Sequence, residues 1–425
     1  MDINQSSALG NAEALAALFK QGGVGDPGDS RTPVTDVGDH VILVHGDLAT
    51  CERVQSVQDS RRVEKTPFRR LQPVVFCMGL FHLKMACADA IWKVFIQPAD
   101  AREDETSLMA YVAEIRPKET GKIASKPGFR RMHEVIRHIG IASRLDCWRA
   151  ELAKRQVASL EDWAASKPSW DEVEAVATRL VNTYVADANH HKLRSAPAAV
   201  RDEQWENTLL REQYFLLYEE LTQTMNAGDI GGVERCFMPW VWIFRGCGKH
   251  KYAAQMVRFL HNLYNVYPAA LRHAIRMNIF CNPTGRKNQF RAIDWWVEHN
   301  NLYIKRIYGG QFSNRTKKRI LKQAALLGVY KAIRISLEGM FALNHRTYRH
   351  SAPNLKKTLH KLQIYMEQEG AHVIKPGRRS KYSVPDVMEV GVNKLMSADG
   401  DFEGAADGVG VLEDEVNGQD GDLDV

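Results

Sequence analysis

No stretch of this 425-residue chain approaches the ~18 uninterrupted apolar residues of a membrane span. The best candidates, 73–83 and 238–244, are closed by Lys84 and Arg245. The opening Met1-Asp2-Ile3-Asn4 has neither the basic region nor the apolar block of a secretory signal. Cysteine is sparse: seven scattered thiols, an odd number, exclude a disulfide framework and point to a reducing compartment. An intracellular protein, nuclear rather than cytoplasmic, is expected. There is no fixed-period repeat. No Gly-x-Ser-x-Gly elbow exists to make a serine hydrolase of the Leu43-Val44-His45-Gly46 stretch. Gly23, Gly25 and Gly28 match a dinucleotide-binding spacing, but they follow a helical pattern, enclose Pro27 and open no helix, so a linker is expected there. Cys236, Cys247 and His250, or Cys77 and His82, do not make a four-ligand zinc set at tight spacing.

Basic residues are missing from the C-terminal end. Residues 399–425 carry ten acids, no Lys or Arg, and Phe402 as the one aromatic residue; the rest of the chain has 57 basic against 41 acidic side chains. The overall +6 is therefore a body of +16 joined to a tail of −10. Too little apolar surface is present in that tail to offset the entropy of ordering, and disorder is expected. Acid is missing in turn between Glu298 and Glu338, where nine Lys and Arg occur. The tail is a candidate to fold back on that stretch.

What is present divides the chain. Residues 1–39 hold a short helical pattern from Asn11 to Lys20 and a Gly/Pro/Asp-rich loop, and are expected to be a flexible segment. Val41 to Val44 and Pro73 to Cys77 are continuous β-branched and aliphatic runs, the mark of strands buried on both faces. Helical patterns follow each, from Thr50 to Arg62 and from Phe81 to Val94, giving a β-α-β-α unit over 40–97 with parallel strands. From 98 to 344 helical periods dominate, among them Ser159–Ala165, Trp170–Ala188, Asp202–Met225, Tyr252–Tyr264 and Ala292–Ile307. Residues 345–398 are expected to form a basic helical or linker region, and 399–425 the acidic tail. The fold class is mainly α with a small parallel β-α-β unit near the N-terminus.

Three constellations carry chemistry. Asp47 stands just past the first strand, where open α/β sheets gather ligands and catalytic groups; the same position suits a helix cap. His82 shares that sheet edge past the second strand. On the helix around 291–307, Asp294, Glu298, Asn301 and Lys305 fall within an arc of about 60° at ~100° per residue. Its two carboxylates could share a Mg or Mn ion with Asp47, or the stripe could be a solvated face. Lys305, Arg306, Arg315, Lys317, Lys318 and Arg319 are candidates to neutralise phosphates. Between His345 and Lys381, nine Lys and Arg against two Glu, with Tyr348, Tyr365 and Tyr382 at hand, suit the same purpose with base stacking.

The segments HGDLATCERVQSVQDSRR, VVFCMGLFHLKMACADAIWKVF and NPTGRKNQFRAIDWWVEHNNLYIK resemble the fungal domain of unknown function 6589, over roughly Val41 to Leu337. More distantly, the order of strand-end Asp, helix, strand and Cys/His pair before a long helical insertion is similar to transposases with a ribonuclease-H-like fold. That resemblance implies an α/β core with Asp47 as middle carboxylate, Cys77 and His82 in the Cys/His position, and Glu298 as last acid, with Asp294 beside it. Two metal ions would then assist phosphodiester cleavage or strand transfer. No hairpin series ending in a first catalytic Asp precedes Val41, so a truncated core is expected. The favoured expectation is a transposon-derived, non-catalytic module binding DNA or another polyanion; the alternative is a metal-dependent nuclease or transposase.

Overall fold

A computed structural model describes residues 3–4, 6–28, 33–309, 316–342 and 355–397, leaving aside the Arg306 side chain. The tail 399–425 and Arg315 lie outside the described residues. The first unit reads β1 (Ile42–Gly46), α2 (Leu48–Ser60), β2 (Val74–Met78), α3 (Leu80–Phe95), preceded by α1 (Ala8–Gln21). The strands pair in parallel, with Ile42 opposite Val74 and Gly46 opposite Met78. Alternation then sorts the strand side chains. Ile42, Val44, Val74 and Phe76 pack with Val54 and Val57 of α2 and with Ala12, Leu15 and Phe19 of α1. Leu43, Val75 and Cys77 pack on Leu263 and Ile275 across the other face. Within residues 1–39, Ser7 caps α1 by accepting from Gly10 N, and Phe19 is buried against the unit.

The remaining elements are helical apart from one short antiparallel pair. Between α3 and α10 (Glu203–Ala227) come α4 (Leu108–Ile115), α5 (Thr120–Ser125), α6 (Phe129–Ala153), α7 (Leu160–Ala165), α8 (Trp170–Tyr184) and α9 (His190–Arg194). Then follow α11 (Ile230–Gly246), α12 (His250–His261), α13 (Ala269–Asn278), β3 (Phe280–Cys281), β4 (Arg291–Ala292) and α14 (Ile293–Tyr308). The described chain ends with α15 (Lys317–Ala324), α16 (Leu327–Met340), α17 (Lys356–Glu369) and α18 (Val387–Met396). The fold is mainly α with a small parallel β-α-β unit near the N-terminus, as the apolar periods predict.

The core centres on α3. A helix apolar on every side is a buried helix, and Leu83, Met85, Cys87, Ala88, Ala90 and Ile91 are all fully shielded. Helices α6, α10 and α11 pack around it. Asp89 is the one acid inside α3, and Lys249 Nζ meets it at 2.8 Å. Capping sets several boundaries: Asp202 accepts from Trp205 N at the start of α10, and Ser169 with Glu172 makes a capping box on α8.

Where it is described, the 345–398 region packs against the rest of the chain. Leu362 and Met366 of α17 enter the main core against α4 and α6. Helix α18 lies along α11, where a Cβ on Gly246 would overlap the Val387 carbonyl and one on Gly391 the Trp242 carbonyl. Several of its cations are used internally: Arg378 meets Asp202 at 2.7 Å, Arg379 meets Glu203 at 2.8 Å and Lys361 meets Glu114 at 3.1 Å. Tyr365 donates to the Glu105 carbonyl.

Candidate functional site

The carboxyl ends of β1 and β2 are tied together by Gly79 N donating to the Gly46 carbonyl at 2.9 Å. Asp47 follows β1 as the N-cap of α2, its Oδ1 accepting from Thr50 N at 2.6 Å. Thr50, where the helical pattern was expected to begin, is already inside that helix. Gly79 follows β2 as the N-cap of α3 and has no side chain to cap with. The missing acceptor comes from α14. Asp294 Oδ1 accepts from Phe81 N at 3.1 Å, and Oδ2 accepts from His82 N at 3.0 Å. The same Oδ2 is 3.0 Å from His82 Nδ1. Glycine is required at 79 by this close approach, because a Cβ there would overlap both Asp294 Oδ2 and the Gly46 carbonyl. Asp294 itself stands in the first turn of α14, so its charge sits at the positive ends of two helices.

His82 is held from both sides of its ring, with Glu298 Oε1 4.0 Å from Nε2. Burial alone would lower its pKa; the hydrogen bond and charge of Asp294, with the charges of Asp47 and Glu298, outweigh burial and raise it. On neighbouring β1, His45 moves the other way, lowered by burial against the pull of Asp294. The structure therefore brings Asp47, His82, Asp294 and Glu298 into one cluster at the sheet edge. It does not bring the rest of the expected set there. Asn301 and Lys305 are exposed further along α14. Cys77 is buried, its thiol pushed up to about 12 by burial, among Leu263 and Ile275.

The cluster can fix a helix terminus and hold a proton on an imidazole between carboxylates. It does not fit a divalent cation as built. Both Asp294 oxygens already accept N–H groups, Asp47 Oδ1 caps α2, and the His82 ring lies where an ion bridging Asp294 and Glu298 would have to sit. Among the described residues no group of three or more His, Cys, Asp or Glu is placed to hold a metal.

Of the expected phosphate-binding residues, Lys317, Lys318 and Arg319 form the exposed first turn of α15. The Arg306 side chain and Arg315 lie outside the described residues.

The sequence gives no hint of one further constellation. His372 bridges Ser143 Oγ at 3.0 Å and Asp146 Oδ2 at 2.7 Å, which has the order of a nucleophile, base and orienting acid. Ser143 and Asp146 are wholly shielded from solvent, and the Ser143 hydroxyl donates to Glu212, so no substrate reaches it. It is a buried tie between α6, α10 and the turn after α17. A His preceded by Gly370 and Ala371 offers no local sign that its partners lie more than two hundred residues away.

The chain belongs to a family of unknown function, DUF6589, whose model matches residues 1–350. No curated protein and no solved structure matches it.

Proposed function

We propose that this member of a family of unknown function is a transposon-derived, non-catalytic module that binds nucleic acid through α15 and the adjoining exposed surface of α14. The observation that carries this function is the first turn of α15. Lys317, Lys318 and Arg319, followed by Lys322, crowd the positive end of a helix none of whose residues is buried. Cations at a helix N-terminus are unfavourable for the helix itself, and a polyanion relieves that cost. The neighbouring surface adds aromatic faces: Lys331 lies over the rings of Trp296 and Tyr303, and Arg334 over Tyr303. Residues 399–425, with ten acids, would compete for the same surface.

The test is duplex DNA binding by the full chain over a range of salt. The logarithm of affinity should fall linearly with log salt, by about 0.9 for each phosphate neutralised. Lys318→Glu combined with Arg319→Glu should weaken binding and make that slope shallower by roughly one to two. Deleting 399–425 should tighten binding. Affinity indifferent to salt, or unchanged by the double substitution, overturns the proposal. The catalytic alternative, a Mg- or Mn-dependent nuclease using Asp47, Asp294 and Glu298, is separated by the same preparation. Cleavage that needs either metal and is lost in Glu298→Gln would replace the binding module with an enzyme.

A further inference from the structure

Strand β2 has a strand neighbour on one side only. Among the described residues its sheet is β1 paired with β2, and no third strand covers the far edge. The ladder to β1 runs from Ile42 N donating to the Pro73 carbonyl at 2.7 Å to Gly79 N donating to the Gly46 carbonyl at 2.9 Å. Every second residue of a strand bonds the same neighbour, so Val74, Phe76 and Met78 turn their amides and carbonyls to the open edge. Val74 shows how that edge can be used: its carbonyl accepts from Gln58 Nε2 of α2 at 2.8 Å. Next along it stand the Phe76 carbonyl and the Met78 N–H, an acceptor and a donor in the plane of the sheet.

The edge opens on a cavity of about 250 Å³, lined by all five residues of β2 and by none of β1. Helix α2 walls one side, and α12 with Ile275 of α13 the other. The volume lies just below the roughly 300–1,000 Å³ of sites for drug-sized ligands, so it suits a flat bicyclic group rather than a length of peptide. Phe259 and Tyr267 bring aromatic rings to the lining. Tyr267 is set there by a π-helical turn, Asn262–Val266, closed by Tyr267 N donating to the Asn262 carbonyl at 2.8 Å. Such turns are frequent at functional sites.

Gln55 of α2 and Gln255 of α12 bridge the two walls amide to amide. Gln255 Nε2 donates to Gln55 Oε1 at 3.1 Å, and Gln55 Nε2 to Gln255 Oε1 at 3.4 Å. Exposed Arg258 donates through Nη1 to the same Gln55 oxygen at 2.8 Å and is the one charged residue among the described residues of the lining. The thiols of Cys51 and Cys77 are pushed up to about 12 by burial and stay neutral. An amide pair has the donor and acceptor pattern of a nucleobase edge, so a base can replace its bonds one for one.

We propose that this cavity binds the purine base of a nucleoside or nucleotide, its edge on the Phe76 carbonyl and Met78 N–H, its face on Tyr267 and its sugar toward Arg258. Backbone groups and uncharged amides match a neutral base, an aromatic ring matches its π-face, and a guanidinium at the exposed end matches a phosphate. The cavity shares no residue with the DNA-binding surface proposed for α15 and α14. The two readings fail separately, since a neutral nucleoside does not follow the salt slope that tests the other.

The experiment is calorimetric titration of the full chain with adenosine, inosine, adenosine monophosphate and ribose 5-phosphate. One nucleoside per chain is expected, with an affinity that added salt leaves nearly unchanged. The tighter of adenosine and inosine identifies the preferred edge as an amino or a carbonyl purine. Adenosine monophosphate should bind more tightly than adenosine, and Arg258→Gln, at an exposed position, should remove that gain. Tyr267→Leu should weaken every base-bearing ligand by about tenfold, the share of one stacked ring. In the wild type, saturating adenosine should slow amide exchange over 74–78, a readout that depends on no variant. Absence of binding by both nucleosides, ribose 5-phosphate binding as tightly as the monophosphate, or exchange over 74–78 that adenosine leaves unchanged overturns the site.

Discussion

Asp294 caps a helix to which it does not belong. Its carboxylate accepts the first free N–H groups of α3 and contacts the ring of His82, 212 residues away in the chain. This one side chain couples the β-α-β unit to α14, and its removal should act on both. Asp294→Ala leaves those donors buried and unpaired, and a cost of about 2–4 kcal/mol in chemical unfolding of the full chain is expected. Asp294→Asn keeps one acceptor oxygen and should cost less. A loss under about 0.5 kcal/mol for the alanine variant would show that α3 does not depend on this cap.

The raised pKa of His82 gives a second expectation, with a definite sign. A histidine whose folded pKa lies above its unfolded value binds more protons when folded. Its stabilising contribution is fully present below the ordinary histidine value of about 6.5 and is lost as pH rises through the folded value. The lowered groups His45, His133, His138 and His190 act in the opposite sense, so total stability mixes the two. The difference in unfolding free energy between wild type and His82→Gln isolates the first. That difference should shrink as pH rises from about 6.5; a difference that stays constant or grows means His82 is not held protonated by its three carboxylates.

Gly79 reverses an ordinary rule. At a φ of −69°, alanine is normally tolerated and should gain a few tenths of a kcal/mol from the unfolded state. Here its Cβ has to displace the Asp294 carboxylate or the Gly46 carbonyl. Gly79→Ala should therefore lower the melting temperature, and should do so much less in an Asp294→Ala background, where one of the two obstacles is gone. Equal losses in both backgrounds would place the strain on Gly46 alone.

For Ser143, geometry and accessibility make opposite forecasts, and burial decides. The folded chain should not react with a fluorophosphonate, while Ser143→Ala should cost about 1–3 kcal/mol, since it leaves Glu212 and His372 without their shared partner. Stoichiometric labelling at Ser143 would turn a structural tie into a nucleophile.

The sequence was legible where one residue's neighbours decide its state. Continuous aliphatic runs placed β1 and β2, and the i, i+4 spacing of Asp294 and Glu298 placed both acids on the face of α14 that meets His82. It was illegible where distant partners decide. Arg378 and Lys361 look like a free basic surface until Asp202 and Glu114 meet them. Helix α11 runs through Pro239, a residue that ordinarily ends a helix, because buried Phe237, Trp240 and Val241 hold it in the core.

The seam between α11 and α18 separates two boundaries that are easily taken as one. Family similarity stops at residue 350, yet Val387 and Gly391 pack α18 against Gly246 and Trp242 of α11, and Leu362 and Met366 fill the main core. The heritable signature and the cooperative folding unit are thus of different lengths. A fragment cut at the edge of the similarity would keep every residue of the carboxylate cluster and lose the packing on which the helices behind it stand.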